Sequence, residues 1–295
     1  MRKLYIITDE FPYGTGEKTF ILPELFVLKK FFKITIISTA SSKVIEQKEL
    51  VTKLDDTIRI FCFDPTERNY QYVKNLFMFW TKKVCWMEVR DIIKTQKKVM
   101  LRIWKSMHFY ARAEAMYRWL RMSCVIDKDE GIYYSYWYTS NVLAITMHRN
   151  SYPKLKVITR THGYDLYDER AKGILRQPFK RVMDMFLDNI IFASHYGYLY
   201  YLDRMKLSPS AKYVVYKIGA SEAQKKVIHE ECTRFRIVSC SNIIPLKRVS
   251  LIIDSLNKIH DFAIEWIHFG DGENRLDIEN YARKKLGEKD NITYQ

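Results

Sequence analysis

The last sixty residues constrain this chain most. Residues 236–241 form an apolar, partly β-branched run that predicts a strand. Asn242-Ile-Ile-Pro-Leu-Lys-Arg predicts a turn, and residues 249–259 predict an amphipathic helix. A second strand is predicted over 263–269, running into Gly270-Asp-Gly, then a helix over 275–286 and a short strand over 291–294. Helical crossovers force successive strands to run parallel, so this is β-α-β-α-β, one half of an open sheet of the kind that binds nucleotides at its carboxyl edge. Half a sheet leaves an apolar strand edge uncovered. The expectation is therefore a second domain cut short.

The upstream residues repeat the alternation. Residues 3–8 predict a buried strand, Phe11-Pro-Tyr-Gly-Thr-Gly-Glu a glycine-bearing loop, 20–31 a helix and 33–38 the next strand. This βαβ unit sets Gly14 and Gly16 at the carboxyl end of the first strand, where open α/β sheets take their ligands. Further strands are predicted over 58–63, 131–136, 156–160, 189–193 and 212–216, with helices over 140–148, 181–188 and 195–205. The stretch 221–234 is polar and charged and places a domain boundary near residue 220. The expected fold class is α/β, with a Rossmann-like domain over 1–220 and a partial second one over 221–295.

Charge narrows the partners. The 49 Lys and Arg against 34 Asp and Glu give a formal net charge of +15. That excess favours nucleic acid, phosphorylated metabolites or an acidic membrane surface. No helix-turn-helix, zinc-finger or RNP-type motif is present, which argues against nucleic acid. The five cysteines are scattered without a C-x-x-C pair, so neither a disulfide framework nor a zinc site is indicated and a reducing compartment fits. The first residues run from a strand into Thr8-Asp9-Glu10 rather than forming a signal peptide. The apolar runs are shorter than the ~20 residues of a membrane span. A cytoplasmic protein, free or peripherally attached to the inner face of the membrane, is expected.

Residues 72–122 predict a long helical segment that mixes Trp80, Trp86, Ile93, Met100, Trp104 and Trp119 with twelve Lys or Arg. Two readings stand: a basic amphipathic helix lying on an anionic membrane, or a packed helix with a solvated basic face.

Four stretches could carry chemistry. Ser241 and Asn242 open a strand-to-helix turn that ends at Lys247 and Arg248, beside a helix N-terminus. The helix dipole disfavours cations there, which a bound anion would offset; the alternative is two solvated surface charges. Gly270 and Gly272 follow the next strand and allow close backbone approach, to a ligand or within a tight turn. His162, in Thr161-His-Gly-Tyr-Asp, stands just past a strand where it could meet a ligand or serve the fold, and Asp165 could cap the next helix. Asp127-Lys128-Asp129 matches a D-x-D metal pattern but precedes its strand and reads as a solvated loop.

Together these loops give a resemblance. The stretches Phe11 to Phe20, Thr159 to Tyr167, Phe192-Ala-Ser-His, and residues 237–272 with their Lys247-Arg-Val and Phe269-Gly-Asp-Gly follow the order seen in family 4 glycosyltransferases. The chain resembles the bacterial members that build capsule, O-antigen or exopolysaccharide, C-terminally truncated. The resemblance implies the GT-B architecture of two Rossmann-like domains, with residues 1–220 on the acceptor side and 221–295 for the nucleotide sugar. It implies retaining transfer from a UDP- or GDP-sugar to a glycan or polyprenyl-linked acceptor, with no metal and no cofactor. His162 falls near the transferred sugar and Lys247 on the donor diphosphate. Gly14 and Gly16 fall in the loop that meets donor and acceptor, and Gly270 and Gly272 near the nucleotide. Asn242 stands where the family often has Arg, a role Arg248 could take. The family's E-x7-E region lies beyond Gln295, so a catalytically incomplete fragment or a non-catalytic partner subunit is the alternative. An anionic membrane surface remains a further candidate partner.

Overall fold

The computed structural model describes residues 1–14, 16–47, 54–64, 70–95, 98–123, 131–149, 151–171, 177–219 and 234–295. The chain divides into two compact units, Met1–Glu222 and Ala223–Gln295.

In the first unit, β1 (Arg2–Thr8), α1 (Lys18–Leu28), β2 (Phe32–Ser38), α2 (Ser42–Gln47) and β3 (Arg59–Cys62) come first. Three helices follow, α3 (Tyr70–Met78), α4 (Lys83–Thr95) and α5 (Val99–Met122). The sheet resumes with β4 (Ile132–Ser135), α6 (Ser140–His148), β5 (Lys156–Thr161) and the short α7 (Gly163–Leu166). It closes with α8 (Lys180–Phe186), β6 (Asn189–Phe192), α9 (His195–Met205) and β7 (Tyr213–Val215).

The seven strands pair in parallel in the order β3-β2-β1-β4-β5-β6-β7. Apolar residues on both faces explain why β1 lies centrally. Tyr5 and Ile7 face a core shared with α5, α6, α8 and α9, while Leu4 and Ile6 face a second core with α1. Tyr5 stacks on its β4 partner Tyr133 at 4.7 Å. Strands buried on both sides read as near-continuous apolar runs, which is why their positions are legible in the sequence.

The segment 72–122 is not one helix. A 3₁₀ turn at Phe79–Thr81 and an extended Lys82 separate α3 from α4, and Lys98 takes a left-handed conformation (φ 58) just before α5. Most of α5 is a core helix, with Tyr110, Ala111, Ala113, Met116 and Leu120 buried against its neighbours. Uniform helical propensity hides such breaks, because tertiary packing sets them.

The second unit has β8 (Phe235–Cys240), α10 (Val249–Asn257), β9 (Ile264–Phe269), α11 (Arg275–Leu286) and β10 (Ile292–Tyr294). Its sheet is parallel, in the order β10-β9-β8. Two successive right-handed crossovers put α10 and α11 on the same face, where Val249, Ile253, Leu256, Ala282 and Leu286 bury Ile264, Trp266 and Ile292. The opposite face carries Val238 and Phe269, both more than half exposed, and among the described residues β8 has no strand on its outer edge.

Candidate functional site

The order β3-β2-β1-β4 places a topological switch between β1 and β4: connections leave β1 toward β2 on one side and return to β4 on the other. Loops diverge above such a point and leave a crevice at the carboxyl ends of the strands. A cavity of about 340 Å³ lies there. Asp9 and Glu10 line it from the loop after β1, Thr39, Ala40 and Ser41 from beyond β2, and Thr139, Ser140 and Asn141 from the start of α6. Phe109 and Arg112 of α5, Tyr164 and Gln177 complete the wall. The lining is rich in hydroxyls, amides and carboxylates, and the buried Thr139 hydroxyl has no hydrogen-bond partner among the described residues.

One carboxylate organises the rim. Glu17, which is buried, accepts the backbone N–H of Asp9 at 3.0 Å, of Glu10 at 2.7 Å and of Phe11 at 2.8 Å. It also accepts the indole N–H of Trp137 from the loop after β4. Four donors on one carboxylate tie the first loop to the fourth strand and fix the peptide that carries Gly14. A Cβ on Gly14 would come within 2.5 Å of the Glu10 Cβ, so any larger residue would force this turn to shift. Gly16 faces open space.

Asp9 sits between these acids. Burial, then the charges of Glu17, Asp165 and Glu10, push its carboxyl up to about 7. A carboxyl poised near neutrality in a cleft can both donate and accept hydrogen bonds, a property common at functional sites.

His162 starts α7 beside this crevice. Its ring packs on Trp137 at 4.3 Å and on Tyr136 at 5.1 Å. The side chain is 10% exposed and its Nδ1 lies 4.0 Å from the Asp165 carboxylate, the two residues forming the capping box of α7; Nε2 has no hydrogen-bond partner among the described residues. Buried polar atoms are normally satisfied, so Nε2 is the atom of this ring left to meet a ligand. Asp165, fully buried, accepts the N–H of His162 at 2.6 Å and of Tyr138 at 2.8 Å. It caps α7 and fixes the ring's backbone. Beneath, the buried Arg160 donates to the Tyr134 hydroxyl at 2.9 Å and reaches Glu24 at 3.4 Å. His162, Gly14 and Gly16 border the cavity's neighbourhood rather than line it; Tyr164, two residues on from His162, does line it.

The remaining sequence candidates belong to the second unit. Lys247 closes a 3₁₀ turn and Arg248 is the N-cap of α10, left-handed at φ 52; both are exposed. A non-glycine residue in that region carries roughly 1 kcal/mol of strain or more, and a cation at a helix N-terminus adds electrostatic cost. Ser241 and Asn242 precede this turn and interlock with the Gly270 loop. Ser241 N–H donates to Phe269 O at 3.0 Å, and Ile243 N–H to Asp271 O at 2.9 Å. A Cβ on Gly270 would lie 1.9 Å from Ser241 O, and one on Gly272 would lie 2.4 Å from Ile243 O. The close approach these glycines permit is that of the neighbouring loop's backbone. The Asp127-Lys128-Asp129 pattern lies outside the described residues, among which no three metal-binding side chains cluster.

Sequence reasoning missed the cavity's own lining, chiefly Asp9, Thr139, Asn141 and Arg112, and missed Glu17 as its anchor. The run Thr8-Asp9-Glu10 at a strand end was the available signal.

Solved structures share this architecture. A lipopolysaccharide outer core galactosyltransferase, WaaB, superposes with a TM-score of 0.58 at 12% identity, over 99% of this chain and 67% of that one. HepE from Anabaena, solved with UDP, gives 0.56 at 9% identity, over 100% of this chain and 68% of that one. TarM from S. aureus, solved with UDP and α-GlcNAc-glycerol, gives 0.54 at 10% identity, over 100% and 77%. These are GT-B glycosyltransferases. The fold is GT-B. Identities this low carry the fold and not the activity. No protein-family model and no curated protein matches the sequence.

Proposed function

We propose that this protein transfers a sugar from a nucleoside-diphosphate sugar, of the UDP type, to a hydroxyl of a glycan acceptor. The observation that carries the reading is the polar cavity at the β1/β4 switch point, with a carboxyl poised near neutrality and, beside it, the His162 Nε2, which has no hydrogen-bond partner among the described residues. Such a lining matches the hydroxyl-rich surface of a sugar, since each hydroxyl both donates and accepts. The first unit, taken as residues 1–220, then serves as the acceptor-side domain, and residues 221–295 as the nucleotide-sugar domain. The UDP in the HepE and TarM structures supports the choice of nucleotide.

In this reading Lys247, Arg248 and the N-terminus of α10 bind the donor diphosphate, and the cost of placing a strained cation there is offset by the anion. The same groups stabilise the diphosphate as it departs from an oxocarbenium-like sugar. Ser241, Asn242, Gly270 and Gly272 shape the backbone wall near the nucleotide, while Gly14 and Gly16 border the reacting sugar. His162 hydrogen-bonds a sugar hydroxyl, and Asp9 holds the acceptor. Retention of configuration, membership of family 4, and a polyprenyl-linked acceptor in bacterial surface polysaccharide synthesis complete the proposal; they rest on the motif order in the sequence.

UDP release from a panel of UDP-sugars, with glycan and polyprenyl-phosphate-linked acceptors, tests it. Acceptor-dependent release that His162→Ala lowers about 10- to 100-fold is expected. A folded chain that releases no nucleotide from any donor, or an undiminished His162→Ala, would refute it.

A further inference from the structure

The helices α3, α4 and α5 present a surface that the proposed function does not use. Along α3 and the 3₁₀ turn that follows it, Val73, Phe77 and Trp80 recur at i, i+4 and i+7 on the side away from the buried Tyr72, Asn75 and Phe79. On α4, Trp86, Arg90 and Ile93 do the same opposite Cys85, Val89 and Ile92. Met100 and Trp104 continue the pattern on the first turns of α5. The rows join: the Trp80 and Trp86 rings lie 5.5 Å apart, and Trp104 contacts His108, whose ring bonds the Tyr72 hydroxyl of α3. Phe77 is 71% exposed, Ile93 61% and Met100 80%.

Charge on these helices is sorted by sign. The three acids among their described residues turn inward: Glu88 is 2% exposed, Glu114 is 4% exposed and bonds Tyr110 and Arg118, and Asp91 pairs with Arg181. The exposed charges are all positive, and Lys74, Lys83, Arg90, Lys94 and Lys98 stand among the apolar residues. A nucleic-acid groove would not expose Phe77, Ile93 and Met100. Protein interfaces are depleted in lysine, which supplies four of these five cations. Aromatic and aliphatic side chains ringed by lysines match a bilayer interface carrying anionic headgroups, where rings sit at headgroup depth and each cation adds about 1 kcal/mol.

We propose that the exposed face of α3, α4 and the start of α5 docks this protein on an anionic lipid bilayer. The inference stands independently of the sugar-transfer reading. It needs no spanning helix, and among the described residues none is long and apolar enough to be one.

Co-sedimentation of the full chain with vesicles tests it, using pure phosphatidylcholine and an equal mixture of phosphatidylcholine with phosphatidylglycerol. Binding is expected on the mixed vesicles only, weakening as salt rises above about 0.1 M, with a blue shift of tryptophan emission. Phe77→Ser with Ile93→Ser, and separately Lys94→Glu with Lys98→Glu, should each weaken it at least about tenfold while leaving the melting temperature near that of the parent. No binding by a folded chain overturns the proposal, as does equal, salt-insensitive binding to both vesicle types. So does binding that survives both double variants. If duplex DNA binds as tightly as the mixed vesicles and Phe77→Ser with Ile93→Ser leaves that unchanged, the face is a polyanion site and the proposal fails.

Discussion

Replacing Asp9 by Asn should stabilise the chain above neutral pH. The Asp9 carboxyl is raised from an ordinary 3.8 to about 7 by burial and by Glu17, Asp165 and Glu10. With the folded value above the unfolded one, the folded chain holds a proton that the unfolded chain has released. Stability is therefore lost as pH rises from about 4 to about 7, and the loss is complete above that. At 1.36 kcal/mol for each pH unit between the two values, the ceiling is about 4 kcal/mol. Asp9 lines an open cavity, and water there screens the charge, so about 1–3 kcal/mol is expected. Asparagine keeps the shape and hydrogen-bonding capacity while removing the ionisation. Urea denaturation of parent and Asp9→Asn should show the variant more stable at about pH 8, with the gain shrinking toward zero near pH 4. A variant no more stable at the higher pH, or an effect that is flat across the range, would refute the reasoning. Under the proposed function the same variant should lose acceptor turnover, an exchange of activity for stability common where a strained site does the binding.

Three further changes test the loops. Glu17→Gln removes one of the two oxygens that accept the N–H groups of Asp9, Glu10, Phe11 and Trp137, and should cost about 2–3 kcal/mol in chemical denaturation. Gly272→Ala forces a Cβ to within 2.4 Å of Ile243 O; a loss of about 1–3 kcal/mol is expected, read by faster amide exchange at Ile243 and Asn274. Arg248→Gly relieves the left-handed backbone at φ 52 and should raise stability by about 0.5–1 kcal/mol while weakening nucleotide affinity; a variant with lower stability or unchanged affinity would count against the assigned role.

The sheet was legible in the sequence because its strands are buried on both faces and so stand out as apolar runs between glycine-bearing loops. The helix over Arg275–Leu286 falls where the pattern predicted it. Asp165 was expected to cap a helix following it; it sits instead at the third position inside α7 and accepts the N–H of the N-cap His162. The cavity was not legible. Its walls come from loops after β1 and β2, from the start of α6, and from α5, and only the strand order brings them together. Glu17 looked like one polar residue in a loop, because its indole donor, Trp137, lies 120 residues away. The glycines of Gly270-Asp-Gly showed that a backbone must approach closely, but not that it would be the backbone of Ser241 and Ile243. The breaks inside residues 72–122 were hidden for a related reason: helix propensity continues through them, and packing against α6 and α8 decides which turns are buried.

The central claim is that this GT-B chain takes a nucleotide-sugar donor through the loop that ends at Lys247 and Arg248. Calorimetric titration of the full chain with UDP, with GDP as comparison, tests it most directly. Saturable binding of UDP is predicted, weakened at least about tenfold, or 1.4 kcal/mol, by Lys247→Ala in a variant that melts like the parent. A folded chain that binds neither nucleotide, or a Lys247→Ala variant that binds UDP as tightly as the parent, would contradict the account.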